Sequence, residues 1–318
     1  MANSRDDRNH TTPHQDFFCN QGLSTAQRII ISALGVPMSI TAFLGNILII
    51  FVLFKISSLH PPSKLLLGCL ACTDLGVGLV VHPLRSGFYL LSQKSKGCYH
   101  FYIVHNIACF VFAGVSLSTM TAISVDRLLA LLLGLRYRQV VTVRRVRVLI
   151  ATLFLFCTFA SIAAFYSIPI AFRFVCALLL LCLLISSLCY TKIYRTLRLF
   201  QAQVQYKHER GGQRSGETIL LNKARYQKTV SIALWVQMAL LACYLPYFSV
   251  TAFITITGLN NQSITFVWCL TVSLLLSNST INPFLYYWKM REMRQAVKDT
   301  IRQFCCLLFR TKRWSITS

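Results

Sequence analysis

The chain has 318 residues, of which 55% are hydrophobic and 13% charged, and its 32 Lys and Arg against nine Asp and Glu give a net charge of +23. A single soluble core cannot hide that much apolar surface, so lipid must cover the rest and the chain is a membrane protein. The charge alone would suit a nucleic-acid partner, but its placement along the chain gives it a different meaning and no nucleic acid is expected.

The first 28 residues are polar, with Arg5, Arg8 and Arg28 balanced by Asp6, Asp7 and Asp16 and without the apolar core of a signal peptide. The first span is therefore expected to act as its own insertion signal. Seven stretches reach the roughly 20 apolar residues a membrane helix needs: Ile29 to Phe54, Leu65 to Leu91, Phe101 to Leu133, Arg147 to Ile168, Phe172 to Leu199, Arg225 to Ile256 and Ile264 to Trp288. The short alternating segments of a membrane β-barrel are missing. Only seven of the 32 basic residues (Arg5, Arg8, Arg28, Arg85, Lys94, Lys96 and Arg173) then lie on one side. Short basic loops stay in the cytosol, so the N-terminus faces out and the basic inner face meets anionic lipid. Asn9-His10-Thr11 and Asn261-Gln262-Ser263 are glycosylation sequons on the outer side, whereas Asn278-Ser279-Thr280 lies inside a span and is out of reach.

After the seventh span, Met290, Met293, Val297, Ile301 and Phe304 recur at three- and four-residue intervals, with Arg291, Arg294, Lys298 and Arg302 among the polar positions. This pattern predicts an amphipathic helix on the inner leaflet. Cys305 and Cys306 follow it and are palmitoylation candidates, with free structural cysteines as the alternative. The inner segment Phe200 to Asn222 is polar, contains Gly211-Gly212 and is expected to be flexible; Ser315, Thr317 and Ser318 offer hydroxyls for phosphorylation. The expected fold is an all-α membrane protein, a seven-transmembrane helix bundle with a short amphipathic helix after the seventh span. It divides into an extracellular segment 1–28, the bundle 29–288, the inner-leaflet helix 289–304 and a cytoplasmic tail 305–318.

Most of the thirteen cysteines sit inside apolar spans, where they pack as small hydrophobes. Cys19 and Cys98 face the oxidising side, and whether they pair is not decided by sequence. The chain shows no metal-ligand spacing, catalytic triad, Walker loop, dinucleotide fingerprint or inverted repeat, so no enzymatic activity is expected.

Polar residues inside the spans carry the functional signal, because a charge there is expensive unless it is paired or working. Two of the nine acids are in spans: Asp74, within Leu70-Ala71-Cys72-Thr73-Asp74-Leu75, and Asp126, followed by Arg127 at the inner end of the third span. Asn46, Ser116, Asn278, Ser279 and Asn282 lie at depths similar to Asp74. One carboxylate among neutral oxygens suits a small hard cation or water, and polar glue between helices is the plainer alternative. Pro246 in Cys243-Tyr244-Leu245-Pro246 and Pro283 in Asn282-Pro283-Phe284-Leu285-Tyr286 interrupt helix interiors and mark pivots.

Across residues 29 to 305 these features together resemble the rhodopsin-like (class A) G-protein-coupled receptors. Gly45-Asn46, Leu70 to Asp74, Ser116, Asp126-Arg127-Leu128, Tyr190, Cys243 to Pro246 and Asn282 to Tyr286 occur in the family's order, and Asn282 through Gln295 is most similar to the adenosine and melanocortin branch. The resemblance implies a plasma-membrane receptor in which Asp126 restrains Arg127 at rest. Outward movement of the sixth span would free Arg127 for a heterotrimeric G protein, with Tyr244 and Pro246 in the moving part. Tyr190 and Tyr286 would stabilise the open form, and Leu135 would dock into the G protein. It further implies a sodium ion held by Asp74, Ser116, Asn278 and Asn282. The rival reading is a transporter or cation channel that uses the Asp74 cluster as its path.

Departures from the family pattern are equally specific. Leu128 replaces the usual phenol after Arg127, Tyr244 replaces the toggle tryptophan, the fourth span lacks tryptophan and the fifth lacks an interior proline. Tyr226 stands where many relatives carry an acid that locks onto Arg127, so basal signalling is expected. Cys98 lies about one turn before the family's outer cysteine position, which is Tyr102 here, and the second outer loop, taken as Ile168 to Arg173, has no cysteine. Cys109, Thr251 and Leu276 stand where amine receptors, adenosine receptors and opsins carry their ligand-defining residues, which argues against those ligands. His82, Arg85, His105 and Arg173 remain near the outer end, with no acid in the spans above Asp74, so an acidic lipid or peptide ligand fits. Snorkelling of Arg85 and Arg173 to the interface is the alternative.

Overall fold

The computed structural model describes residues 22–56, 59–90, 98–166, 168–209, 216–259 and 261–289, together with 294–295, 297–300 and 302. Asn9, Cys19, Cys305 and Cys306 fall outside that set, as do Met290, Met293, Ile301 and Phe304. Seven helices among the described residues are long and apolar enough to cross a membrane. Each packs on its neighbour in the chain, the seventh closes the ring against the first, and the third touches the second, fourth and fifth.

The first helix, Thr25–Lys55, begins four residues before its apolar stretch because Ser24 caps it. The Ser24 hydroxyl accepts from the Gln27 amide while the Gln27 side chain accepts from the Ser24 amide. The second runs Pro61–Gly76, passes through a π turn at Val77–Val81 and continues as His82–Leu90. Such a turn adds a residue to the helix and rotates everything after it. The third, Cys98–Leu133, ends at Gly134, whose φ of 50° an L side chain rarely adopts, and a short turn, Tyr137–Val140, folds back beneath the bundle.

Two predicted loops are helix instead. The fourth helix, Val143–Tyr166, gives way almost at once to the fifth, Ile168–Glu209, so the stretch 168–173 taken as an outer loop is the fifth helix's first turns. Pro169 sits there at a position where a missing N–H is harmless. The fifth helix extends to Glu209 and the sixth, Gly216–Thr257, starts at Gly216. Much of the expected flexible segment 200–222 is therefore ordered helix, because its Gln, Lys, Leu and Arg are strong helix formers that override polarity. The seventh helix, Gln262–Lys289, is capped by Asn261, whose side-chain oxygen accepts from the Ile264 amide at 2.9 Å.

Residues 294–295, 297–300 and 302 are helical. Val297 is buried against Ile49, Val52, Leu53 and Leu67, while Lys298 and Arg302 are exposed, as an amphipathic helix at the inner surface requires. The bundle's centre is a cluster drawn from five helices that includes Leu70, Leu117, Met120, Leu183, Leu240 and Tyr244. Large apolar residues such as Phe54, Leu155, Phe159 and Leu188 project outward from the first, fourth and fifth helices, surfaces that only lipid satisfies.

Candidate functional site

Three polar centres lie at three depths of the bundle. At the inner end, Asp126 is 3% exposed and both its oxygens have close partners from outside its own helix. Ser63, in the first turn of the second helix, donates to Oδ2 at 2.8 Å, and the Tyr137 hydroxyl donates to Oδ1 at 2.5 Å. The two hydroxyls are themselves 3.1 Å apart, and the His60 ring lies 5.0 Å from that of Tyr137. Arg127 is only loosely held by comparison: its Nε is 4.0 Å from Asp126 Oδ2 and its side chain is 37% exposed. The Tyr190 hydroxyl is 2.9 Å from Ser124 Oγ, and its ring packs with Ile193, Leu197, Leu128 and Leu131. Leu128 thus serves as apolar packing for the fifth helix. Tyr286 packs between the central and inner apolar clusters, and Leu135 is 98% exposed on the turn after the third helix. Sequence reasoning gave no role to Tyr137 or Ser63. A serine one turn from a helix start reads as a capping residue, so nothing local marks it. The side chain of Tyr226 lies outside the described set.

At mid-depth, Asp74 is fully buried. Its Oδ1 accepts from Ser116 Oγ and Ser279 Oγ, both at 2.8 Å, and its Oδ2 accepts from Asn282 Nδ2 at 2.7 Å. Three helices therefore meet on one carboxylate. Asn278 turns its Nδ2 to Met120 Sδ at 3.3 Å, and Asn282 Nδ2 is 4.0 Å from the same sulfur; the Asn278 Oδ1 is buried with no partner among the described residues. One anionic and several neutral oxygens, one of them orphaned, fit the sodium ion that the resemblance implies. Asn46 ties the first helix to the seventh by donating to Ser279 O at 3.0 Å. Next to it, a Cβ on Gly45 would lie 2.8 Å from Pro283 Cγ, which explains the glycine. Pro246 lies inside the sixth helix, one turn of chain beyond the buried Cys243-Tyr244 pair.

Near the outer end, the side chains after the π turn face inward. Arg85 is 4% exposed, donates from Nη2 to Cys269 O at 2.6 Å and lies 5.6 Å over the Tyr89 ring. The snorkelling alternative for Arg85 is thus corrected: the rotation introduced at Val77–Val81 turns it into the bundle. His82 and His105 are buried nearby, and Cys109 is half-buried one turn below His105. Thr251 is buried on the sixth helix beside Tyr247. The side chain of Arg173 lies outside the described set. An open groove between the outer ends of the sixth and seventh helices is lined by Val250, Phe253, Ile264 and Val267. Cys98 is disulfide-bonded, to a partner outside the described residues.

A family model described as 7 transmembrane receptor (rhodopsin family) matches residues 45–169 and 165–286. The chain belongs to the rhodopsin family of seven-transmembrane receptors. It is 24% identical over 304 residues to melanocortin receptor 5 of Mus musculus, covering 92% of this chain and 89% of the relative. The Rattus norvegicus and Ovis aries receptors of the same name are each 24% identical over 86% of this chain and 83% and 84% of their own lengths. A rhodopsin-family receptor is a signalling protein of a non-enzyme family, and nothing in these relatives supports the transporter or channel alternative. Within the family frame, the inner and middle polar centres join the second helix to the third, and the outer one joins the second to the seventh.

Proposed function

We propose that the protein sits in the plasma membrane with its N-terminus outside and transmits an extracellular ligand signal to a heterotrimeric G protein. Outward movement of the sixth helix exposes Arg127 to the Gα subunit. The observation that carries this reading is the division of labour at the inner end. Asp126 is buried and satisfied by Ser63 and Tyr137, while Arg127 has one 4.0 Å polar contact among the described residues and a third of its surface open. A loosely held cation is available to a partner at small cost. Leu135 offers an exposed apolar knob on the turn after the third helix, and Tyr190, whose hydroxyl meets Ser124, and Tyr286 are the phenols that would receive Arg127.

Asp74, Ser116 and Asn282, with Asn278 beside them, would hold a sodium ion whose charge balances the carboxylate and favours the resting packing. Glycans on Asn9 and Asn261, and palmitate on Cys305 and Cys306, fit the same orientation. Coupling requires only that ligand and G protein prefer the same packing. The test is nucleotide exchange on purified Gα subunits of each class, with the receptor in lipid nanodiscs and an Arg127→Ala variant as the silent control. Exchange that never exceeds the control, with or without a broad ligand panel, would overturn the proposal.

A further inference from the structure

His82, Arg85 and Tyr89 fall at i, i+3 and i+7 on the short helix that follows the π turn, so they form one stripe, and all three are buried. A guanidinium presents five N–H donors. The bond to Cys269 O uses one, and the Tyr89 ring lies against the guanidinium. No carboxylate faces Arg85 from the outer half of the bundle among the described residues; Asp74, the nearest acid in the spans, is committed to Ser116, Ser279 and Asn282. A buried guanidinium without an anion is costly to maintain. Two imidazoles add to it. His82 Nε2 and His105 Nδ1 are buried without partners among the described residues, and both rings are close enough to Arg85 to interact with its charge. Val77, Val81 and Leu276 close the bundle nearby as a fully buried apolar cluster with Phe112 packed against it.

From this arrangement we infer that Arg85, His82 and His105 bind a single oxyanion, the carboxylate or phosphate head group of an amphiphile. The inference rests on the receptor reading only in making that amphiphile the signal; the binding itself does not depend on it. Arg85 supplies the charge and a planar pair of donors that matches two oxygens of one head group. Each unpartnered imidazole nitrogen becomes a further donor when it carries a proton, as in the imidazolium that an anion favours. An ammonium ligand meets repulsion at the same place. A metal ion does not suit the site either, since no metal-holding group of His, Cys, Asp and Glu exists among the described residues.

The experiment is saturation binding to the full-length receptor in phosphatidylcholine nanodiscs, with four probes: oleate, oleoyl lysophosphatidate, the neutral isostere oleamide, and inorganic phosphate. At least one anionic amphiphile should saturate with an affinity tenfold or more above oleamide. Arg85→Gln should remove that advantage while leaving oleamide unchanged. The ranking of oleate against lysophosphatidate tells carboxylate from phosphate, and inorganic phosphate competing with either confirms that the head group is what is held. If Arg85→Gln does not fold, His105→Asn should weaken the anion tenfold with the same lack of effect on oleamide. Equal binding of oleamide, unchanged anion affinity in the variants, or no saturation by any anion would each overturn the inference. Anion binding that leaves Gα exchange untouched would instead count against the receptor reading and leave the site standing.

Discussion

Replacing Tyr137 with Phe removes one oxygen and nothing else, yet the structure gives that oxygen a decisive place. The phenol donates at 2.5 Å to a carboxylate that is almost wholly buried, and hydrogen bonds to charged groups contribute about 1.5–3 kcal/mol. Ser63 still holds the other carboxylate oxygen at 2.8 Å, so Asp126 is not stranded and the lower half of that range applies, about 2 kcal/mol. If the bond exists only in the resting packing, that energy shifts the equilibrium roughly 30-fold toward the open one, at 1.4 kcal/mol per tenfold. Basal exchange per receptor, measured in nanodiscs at matched surface density, should rise by up to that factor and fall to background when Arg127→Ala is added. Ser63→Ala should do less, because the Arg127 guanidinium at 4.0 Å can close on the vacated oxygen. A Tyr137→Phe receptor with a lower melting temperature but wild-type basal exchange would refute the reasoning, since the bond would then be common to both packings.

Leu135→Asp should leave stability within about 0.5 kcal/mol, because the side chain is 98% exposed, and should cut agonist-driven exchange at least tenfold in the same nanodisc assay. Gly45→Ala places a Cβ 2.8 Å from Pro283 Cγ, and thermal melting should show a loss of about 1–3 kcal/mol as the first and seventh helices are forced apart. Trp235→Ala removes an edge-to-face contact with Trp288 at 5.2 Å; such pairs are worth about 1 kcal/mol, so basal exchange should rise about fivefold, and no change would show that the pair persists when the sixth helix moves. Cys98→Ser opens a disulfide and should lower stability by about 2–5 kcal/mol, read by melting under non-reducing conditions.

The seven spans, the inward Asp74 and the places of Pro246 and Pro283 within their helices were legible because each rests on a local rule: the length of an apolar run, the expense of a charge in lipid, the missing N–H of proline. The Asp74 cluster was legible too, since Ser116 and Asn282 can reach nothing else at that depth. Arg85 was legible as a ligand candidate, but its direction was not. Whether a residue eleven positions after Asp74 faces lipid or the bundle depends on one extra residue at Val77–Val81, and a run of Val, Gly and Leu carries no signature of a π turn. Ser63 and Tyr137 were missed for a related reason: their partner lies on another helix, and no pattern within either segment announces it. The stretch 168–173 is helix because Pro169 stands at a helix start, and 200–209 and 216–222 are helix because propensity outweighs polarity there.

Which helix can move follows from how the helices are held. The third helix is tied to the second by Ser116 to Asp74 and Asp126 to Ser63, and to the fifth by Ser124 to Tyr190 and Thr121 to Ser186. The seventh is tied to the second through Ser279 and Asn282, and to the first through Asn46. Such contacts are directional and fail within an ångström of sliding. From Leu240 to Thr257 the sixth helix offers other helices apolar packing and one long thiol contact, Cys243 Sγ to Ser277 Oγ at 3.8 Å. Apolar contact is non-directional and tolerates sliding. The fourth helix also lacks polar ties among the described residues, but short links hold both its ends, residues 141–142 before it and 167 after it. Among the described residues the sixth helix therefore has no directional tie beyond that thiol contact, which supports the proposed swing about Pro246 while the polar seam between the second and third helices stays intact.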